Sequence, residues 1–225
     1  MRALVLVGFL VLAVSAMASL DDITNKDAVA GLKAALEKGS HAAVASLGKS
    51  DGFLRNPKVR IDLPDSLERA EKAMHRLGMG KYADELIVAM NRAAEQAVPE
   101  AKQLFVDSVK KMSVQDAKGI LTGGDTAGTA YFKRTTSKQL HERFLPIVKK
   151  STAKVGVAQK YNDYAEKGAS LGVIDKADAN LDEYVTQKAL DGLYLMVAEE
   201  EKKIRKDPVG TGTAIIKKVF GALRK

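Results

Sequence analysis

The chain is 225 residues long, with a formal net charge of +8, no cysteine, no tryptophan and 5% aromatic residues. That length suits one core of ordinary size. The missing cysteines exclude a disulfide framework, thiolate chemistry and a lipidated cysteine, and the scarcity of aromatics argues against nucleic-acid binding, which uses stacking platforms.

Met1 to Asp22, MRALVLVGFLVLAVSAMASLDD, carries a basic Arg2, an unbroken apolar run from Ala3 to Ala16, and small residues at Ala16 and Ala18. This is the pattern of a secretory signal peptide, 1–18, cleaved after Ala18. It predicts an exported protein, periplasmic or envelope-associated. The run is shorter than the roughly 20 residues of a membrane span, and no later stretch approaches that length, so no transmembrane segment is expected. The remainder, 19–225, is rich in Ala, Leu, Val, Lys and Glu, which favours helix over sheet. It reads as a single helical domain with a basic C-terminal segment, 202–225.

Thr24 caps a first helix over Asp27 to Leu47, whose apolar residues Leu32, Leu36, Ala43, Val44 and Leu47 recur at helical spacing; Gly48 ends it. The connection 49–62 has turn signals at Asp51-Gly52 and Asn56-Pro57. Val59 to Ile61, alternating with charges, is the one candidate for a short extended segment. Pro64, Asp65 and Glu68 open a second helix to Leu77. Lys81 to Val98 is a third, and Pro99 opens a fourth that runs to Met112. Asn91 and Arg92 sit on the third helix among apolar neighbours, so an inward Arg92 needs a carboxylate, with Asp84, Asp107 or Asp116 as candidates.

Ser113 with Asp116 three residues on is a capping box for the next helix. Thr122 to Thr126 stops that helix and Ala127 to Arg134 restarts one. Thr136 to Val155 reads as a separate helix with a kink at Pro146, followed by Val157 to Lys167. Leu181 to Arg205 is the longest helical stretch, capped by Asn180 with Glu183, and apolar around most of its circumference, which predicts a central position. Glu199, Glu200 and Glu201, then Lys202, Lys203 and Arg205, mark its emergence into solvent. Asp207-Pro208 breaks it, and Thr213 to Leu223 forms a final amphipathic helix. The whole predicts an all-α bundle of eight or nine helices.

Several motifs fail in context. Gly168-Ala-Ser170-Leu-Gly172 matches the G-x-S-x-G nucleophile pattern, but a helix precedes it where a strand is needed, and His41, His75 and His141 all lie before Ser170. Gly48-Lys49-Ser50 resembles the end of a phosphate loop but lacks its first glycine. Asp178-Ala-Asn180-Leu-Asp182 lacks the glycine and the final glutamate of a calcium loop. The pairs Glu37/His41 and Glu71/His75 have i,i+4 spacing, yet nothing brings them together, and solvent-facing helix pairs explain them. No metal or other cofactor is expected.

Two features carry functional expectations. Gly123, Gly124, Asp125 and Thr126 form a glycine-rich loop at a helix N-terminus, where exposed N–H groups can hold an anion; the same residues also serve as a helix C-cap followed by an N-cap, the commoner use. The second is the tail. Lys202, Lys203, Arg205, Lys206, Lys217, Lys218, Arg224 and Lys225 stand there against one acid, Asp207, so the excess positive charge sits in the last 24 residues. A basic segment on a neutral body predicts a contact with something anionic, such as envelope lipid, a polymer or an acidic protein. The apolar face of the last helix suits either the protein's own core or a membrane interface.

NRAAEQAVPEAK (Asn91 to Lys102), MSVQDAKGILTGGDTAGTAYF (Met112 to Phe132), RFLPIV (Arg143 to Val148), NPKVRIDLP (Asn56 to Pro64) and YVTQKALDGLYLMVAEEEKKIRKDPVGTGTAIIKKVFGAL (Tyr184 to Leu223) together resemble the domain-of-unknown-function 4197 (DUF4197) family. The resemblance spans nearly all of 19–225 and implies an exported, all-helical bacterial protein. It implies no activity. The leading expectation is a non-enzymatic binding or envelope-associated module. The alternative is an enzyme of unassigned class with an acid and amide pocket around Asn91, Asp116 and Asp125.

Overall fold

The computed structural model describes residues 24–65, 80–154 and 180–222, with 72, 75, 76, 78 and 162 between them. The signal peptide, nearly all of the predicted helices ending at Leu77 and spanning Val157 to Lys167, the Gly168–Gly172 motif, and Arg224 and Lys225 lie outside the described residues.

Seven helices of nine residues or more form among the described residues. They are α1, Asn25–Leu47; α2, Gly80–Ala97; α3, Ala101–Lys111; α4, Val114–Thr122; α5, Ala127–Thr152; α6, Leu181–Lys206; and α7, Ala214–Ala222. A 3-10 turn over Val98–Glu100 joins α2 to α3, and a single helical turn, Pro208–Thr211, leads from α6 to α7. The class is all-α as expected, with seven helices against the eight or nine predicted, and no strand occurs among the described residues. Nor is any described helix long and apolar enough to cross a membrane.

The helix starts follow their capping chemistry. Thr24 accepts from the Asp27 N–H at 3.1 Å, Ser113 and Asp116 close a capping box on α4, and Asn180 accepts from both Asp182 and Glu183 at the start of α6. One expected break is absent, because α5 runs unbroken from Ala127 through Pro146 to Thr152. The two threonines in its middle fit a helix because their hydroxyls bond back to the preceding turn, Thr135 to Tyr131 O at 2.9 Å and Thr136 to Phe132 O at 2.6 Å.

Helix α6 is central, as its apolar circumference predicts, and packs along α5 and α1, with α2 also in contact. Phe105 of α3 and Phe132 of α5 meet in the core with ring centroids 4.6 Å apart, and Tyr194 of α6 lies 6.2 Å from Phe105. Such aromatic groups contribute roughly 0.5–1.5 kcal/mol per pair beyond their burial.

Helix α7 lays its apolar face on α1, burying Ile216, Val219, Phe220 and Ala222. A Cβ at Gly31 would stand 2.5 Å from Val219 Cγ2, so only glycine leaves room for this close approach. Lys218 adds an ion pair to Asp27 at 2.9 Å, and that contact holds the Asp27 carboxyl below its ordinary value. Of the two readings of the last helix, its apolar face belongs to the core.

The segment Val59 to Ile61 is a turn followed by irregular backbone, with no strand partner. Asn91 takes that role instead. Fully buried on α2, its amide accepts from the Ile61 N–H at 2.9 Å and donates to the Ile61 carbonyl at 2.7 Å. One side chain thus satisfies both backbone groups of a buried residue that no sheet supports.

Candidate functional site

The glycine-rich junction between α4 and α5 is built from Gly123, the C-cap of α4, and exposed Gly124 and Asp125; Thr126 is the N-cap of α5 without a side-chain bond. The first-turn donors of α5 are already taken. Ala127 N–H donates to Gly124 O at 3.1 Å. Gly128 and Thr129 N–H donate to Glu201 of α6 at 2.9 and 2.8 Å, and the Thr129 hydroxyl adds a third bond at 2.9 Å. The anion at this helix N-terminus is therefore a side chain of the chain itself.

Glu201 is buried at 7% exposure, which corrects the expectation that 199–201 mark the emergence of the helix into solvent. Arg205, one turn on, pairs with it at 3.0 Å, donates to Ile120 O at 2.8 Å and lies over the Phe220 ring. The carboxylate and guanidinium together fasten α6 to the end of α4 and the start of α5. The sequence held a signal for this, because Glu201 follows Leu193 and Val197 on the same apolar face.

A matching pair holds the loop after α1. Glu95 of α2 is 4% exposed and accepts from the Phe53 and Leu54 N–H groups at 3.0 and 3.2 Å. Arg92 bridges Glu95 and Asp51, both at 2.6 Å, and these partners, Glu95 first, raise its pKa further. Its carboxylates are thus Glu95 and Asp51, and not Asp84, Asp107 or Asp116.

The three residues of the enzyme alternative have separate commitments. Asn91 is held on Ile61 and Ile87. Asp116 is held by Ser113 and by Arg134 at 2.9 Å, which lower its pKa, Ser113 most. Asp125 is exposed on the junction loop.

The basic tail is more neutralised than its sequence suggests. Lys202 pairs with Glu199, Lys203 with Glu200, Arg205 with Glu201 and Lys218 with Asp27. Lys206 and Lys217 are exposed and form no ion pair with a described residue.

A shallow, open concavity lies between α5 and α6. Two adjoining troughs of about 240 and 340 Å³ share Lys133, Asp191 and Tyr194. Ser137, Lys138 and His141 extend the α5 wall at one end, and Thr126 and Thr129 lie at the other. Buried Leu190 and Tyr194 form the floor, with Leu195 at the edge, 42% exposed. The Tyr194 hydroxyl bonds Thr136 at 2.9 Å, and burial pushes its pKa up to about 12. His141 is turned to Glu183 at 2.8 Å. A second void, between α1, α6 and α7, has only about 10 Å³, about the space of one water molecule.

The groove is the site that sequence reasoning missed. Its lining is spread over α5 and α6 at helical intervals and contains no motif. Among the described residues no group of three or more His, Cys, Asp or Glu side chains is placed to hold a metal ion.

A family model described as a protein of unknown function (DUF4197) matches residues 22–221. No curated protein and no solved structure matches the chain.

Proposed function

The chain belongs to the DUF4197 family, and from that premise we propose that it is an exported, non-enzymatic binding module whose α5–α6 groove takes an anionic group of an envelope component. One observation carries this reading. Lys133 and Lys138 stand exposed in a groove floored by Leu190 and Tyr194, and neither forms an ion pair with a described residue. Cations beside a low-dielectric floor attract an anion more strongly than the same charges on a flat surface. Lys206 and Lys217 add exposed positive charge elsewhere. The signal-peptide pattern at 1–18 supports the address, and the separate commitments of Asn91 and Asp116 favour binding over catalysis.

The test is co-sedimentation of the chain starting at Ser19 with phosphatidylcholine vesicles, with and without phosphatidylglycerol, at low and high salt. Binding is expected to require the anionic lipid and to weaken with salt. The double variant Lys133→Gln, Lys138→Gln should lose roughly thirtyfold in affinity, at about 1 kcal/mol per lysine. A loss seen instead with Lys206→Gln, Lys217→Gln would move the contact to the tail. A protein that ignores both vesicle types would overturn the reading for lipid.

A further inference from the structure

We infer that the α5–α6 groove is built for a phosphate ester that also carries an ammonium group, the phosphoethanolamine pattern. This rests on the groove reading above and names its ligand class. The argument is the arrangement of charge. Lys133 and Lys138 belong to α5, and Asp191 faces them from α6. Asp191 accepts a hydrogen bond from Gln187 at 3.0 Å but forms no ion pair with Lys133, Lys138 or another described base. Lys133 borders both troughs with Asp191, yet the two side chains do not close on each other.

A groove with two cations on one wall and one anion on the other discriminates among ligands. A plain anion meets the lysines but is repelled by Asp191. A plain cation meets Asp191 but is repelled by two lysines. A phosphate monoester, with about −1.5 to −2 charge at neutral pH, matches the lysine pair, and an ammonium on the same molecule matches Asp191. The α-carboxylate of an amino acid brings a single negative charge and leaves one lysine unmatched. Lys133, Lys138 and Asp191 all border the smaller trough, whose volume of about 240 Å³ is below that of drug-sized pockets and suits a headgroup-sized ligand. Ser137 supplies a hydroxyl on the phosphate side, and Leu190 with Tyr194 offers an apolar floor for a short carbon linker. Of the other titratable groups of the lining, His141 is engaged with Glu183 and Tyr194 with Thr136.

The doubly charged monoester is that of a soluble phosphoethanolamine; the phosphodiester of a zwitterionic lipid headgroup carries one negative charge and, like a carboxylate, leaves one lysine unmatched. Chemical-shift titration of the chain starting at Ser19 with O-phosphoethanolamine, inorganic phosphate and ethanolamine, at constant ionic strength, tests the inference. O-phosphoethanolamine is expected to bind about fivefold tighter than phosphate, the worth of one exposed ion pair, and ethanolamine to give no saturable shift. Asp191→Asn should erase the preference while phosphate still binds, and Lys133→Gln should weaken both. All three groups are at the surface, so circular dichroism can verify that the variants remain folded. Equal affinity for phosphate and O-phosphoethanolamine, or a preference that survives Asp191→Asn, would overturn the ammonium assignment and leave the anion groove standing. Absence of binding by either phosphate compound would sink both. Saturable binding in solution without co-sedimentation on phosphatidylethanolamine vesicles is expected; co-sedimentation competed by soluble O-phosphoethanolamine would overturn the monoester requirement.

Discussion

Glu95 and Glu201 solve one problem at two places in the bundle. Each is a buried carboxylate on a long helix, each accepts from two consecutive backbone N–H groups of another segment, and each has an arginine on its own helix beside it. They differ in the second arginine contact. Arg92 reaches a further carboxylate, Asp51, and its side chain is 33% exposed. Among the described residues Arg205 has one further polar partner, the Ile120 carbonyl, and its side chain is 13% exposed. The first arginine keeps a counter-charge and water if its glutamate is lost; the second keeps neither. The worth of a buried acid is set by what its removal strands.

That difference predicts the largest effect. Glu201→Ala strands Arg205, two buried N–H groups and the Thr129 hydroxyl, and should cost about 3–5 kcal/mol. Glu95→Ala leaves Arg92 on Asp51 and strands two N–H groups, one of them only partly buried, so about 2–3 kcal/mol is expected. Urea unfolding of the two variants measures both. Equal losses would show that the second arginine contact does not matter and would break the comparison.

Neither carboxylate could be assigned from the chain alone, although the elements around them could. Local rules act within a few residues, so the caps at Thr24, Ser113 and Asn180, the stop at Gly48 and the central place of α6 were all legible. Glu201 was misplaced because three acids followed by three bases look like a solvated helix end, and only the periodicity from Leu193 and Val197 points the third acid inward. Of the partners of Arg92, Glu95 stands three residues on, within reach of local spacing, and Asp51 does not. Asp51 lies 41 residues away, and the turn that presents it has no helical period to read. The division of α5 into two helices misjudged Thr135 and Thr136, whose back-bonding and contacts to Ser108 and Tyr194 keep them in one helix. As for the groove, helical faces were legible but the register of α5 against α6 was not, and that register places Asp191 opposite Lys133.

Helix α6 has a further tether to α5, and it titrates. Tyr194 joins α6 to α5 through Thr136, and its folded pKa of about 12 lies above the ordinary 10. A raised pKa means that the folded state holds the proton more tightly. The stabilisation is therefore complete below pH 10 and is lost as pH rises from about 10 through 12. Two pKa units correspond to up to about 3 kcal/mol. Tyr194→Phe should cost about 1 kcal/mol at neutral pH through the lost hydrogen bond and should fall less steeply in alkali. The difference between the two proteins isolates this group. Parallel curves from pH 9 to 12 would remove Tyr194 as an alkaline weak point.

The smallest effect separates burial from geometry. Asp116 also bonds a backbone N–H, that of Ser113 at 3.2 Å, takes the Ser113 hydroxyl at 2.6 Å, and pairs with Arg134. Its contacts resemble those of Glu95 and Glu201, but it sits at the exposed start of α4, where water can replace every partner. Ser113 first, then Arg134, lower its pKa. The sign is therefore opposite to that of Tyr194: its contribution is present above the ordinary carboxylate range and fades as pH falls through the lowered value. Asp116→Asn should cost less than about 1 kcal/mol at pH 7 and nothing once the wild-type carboxylate is protonated, which urea unfolding at pH 7 and near pH 2 can measure. A loss as large as that of Glu201→Ala would mean that the α4–α5 junction is held from its solvent side, and the buried clamp would no longer explain why that junction is ordered.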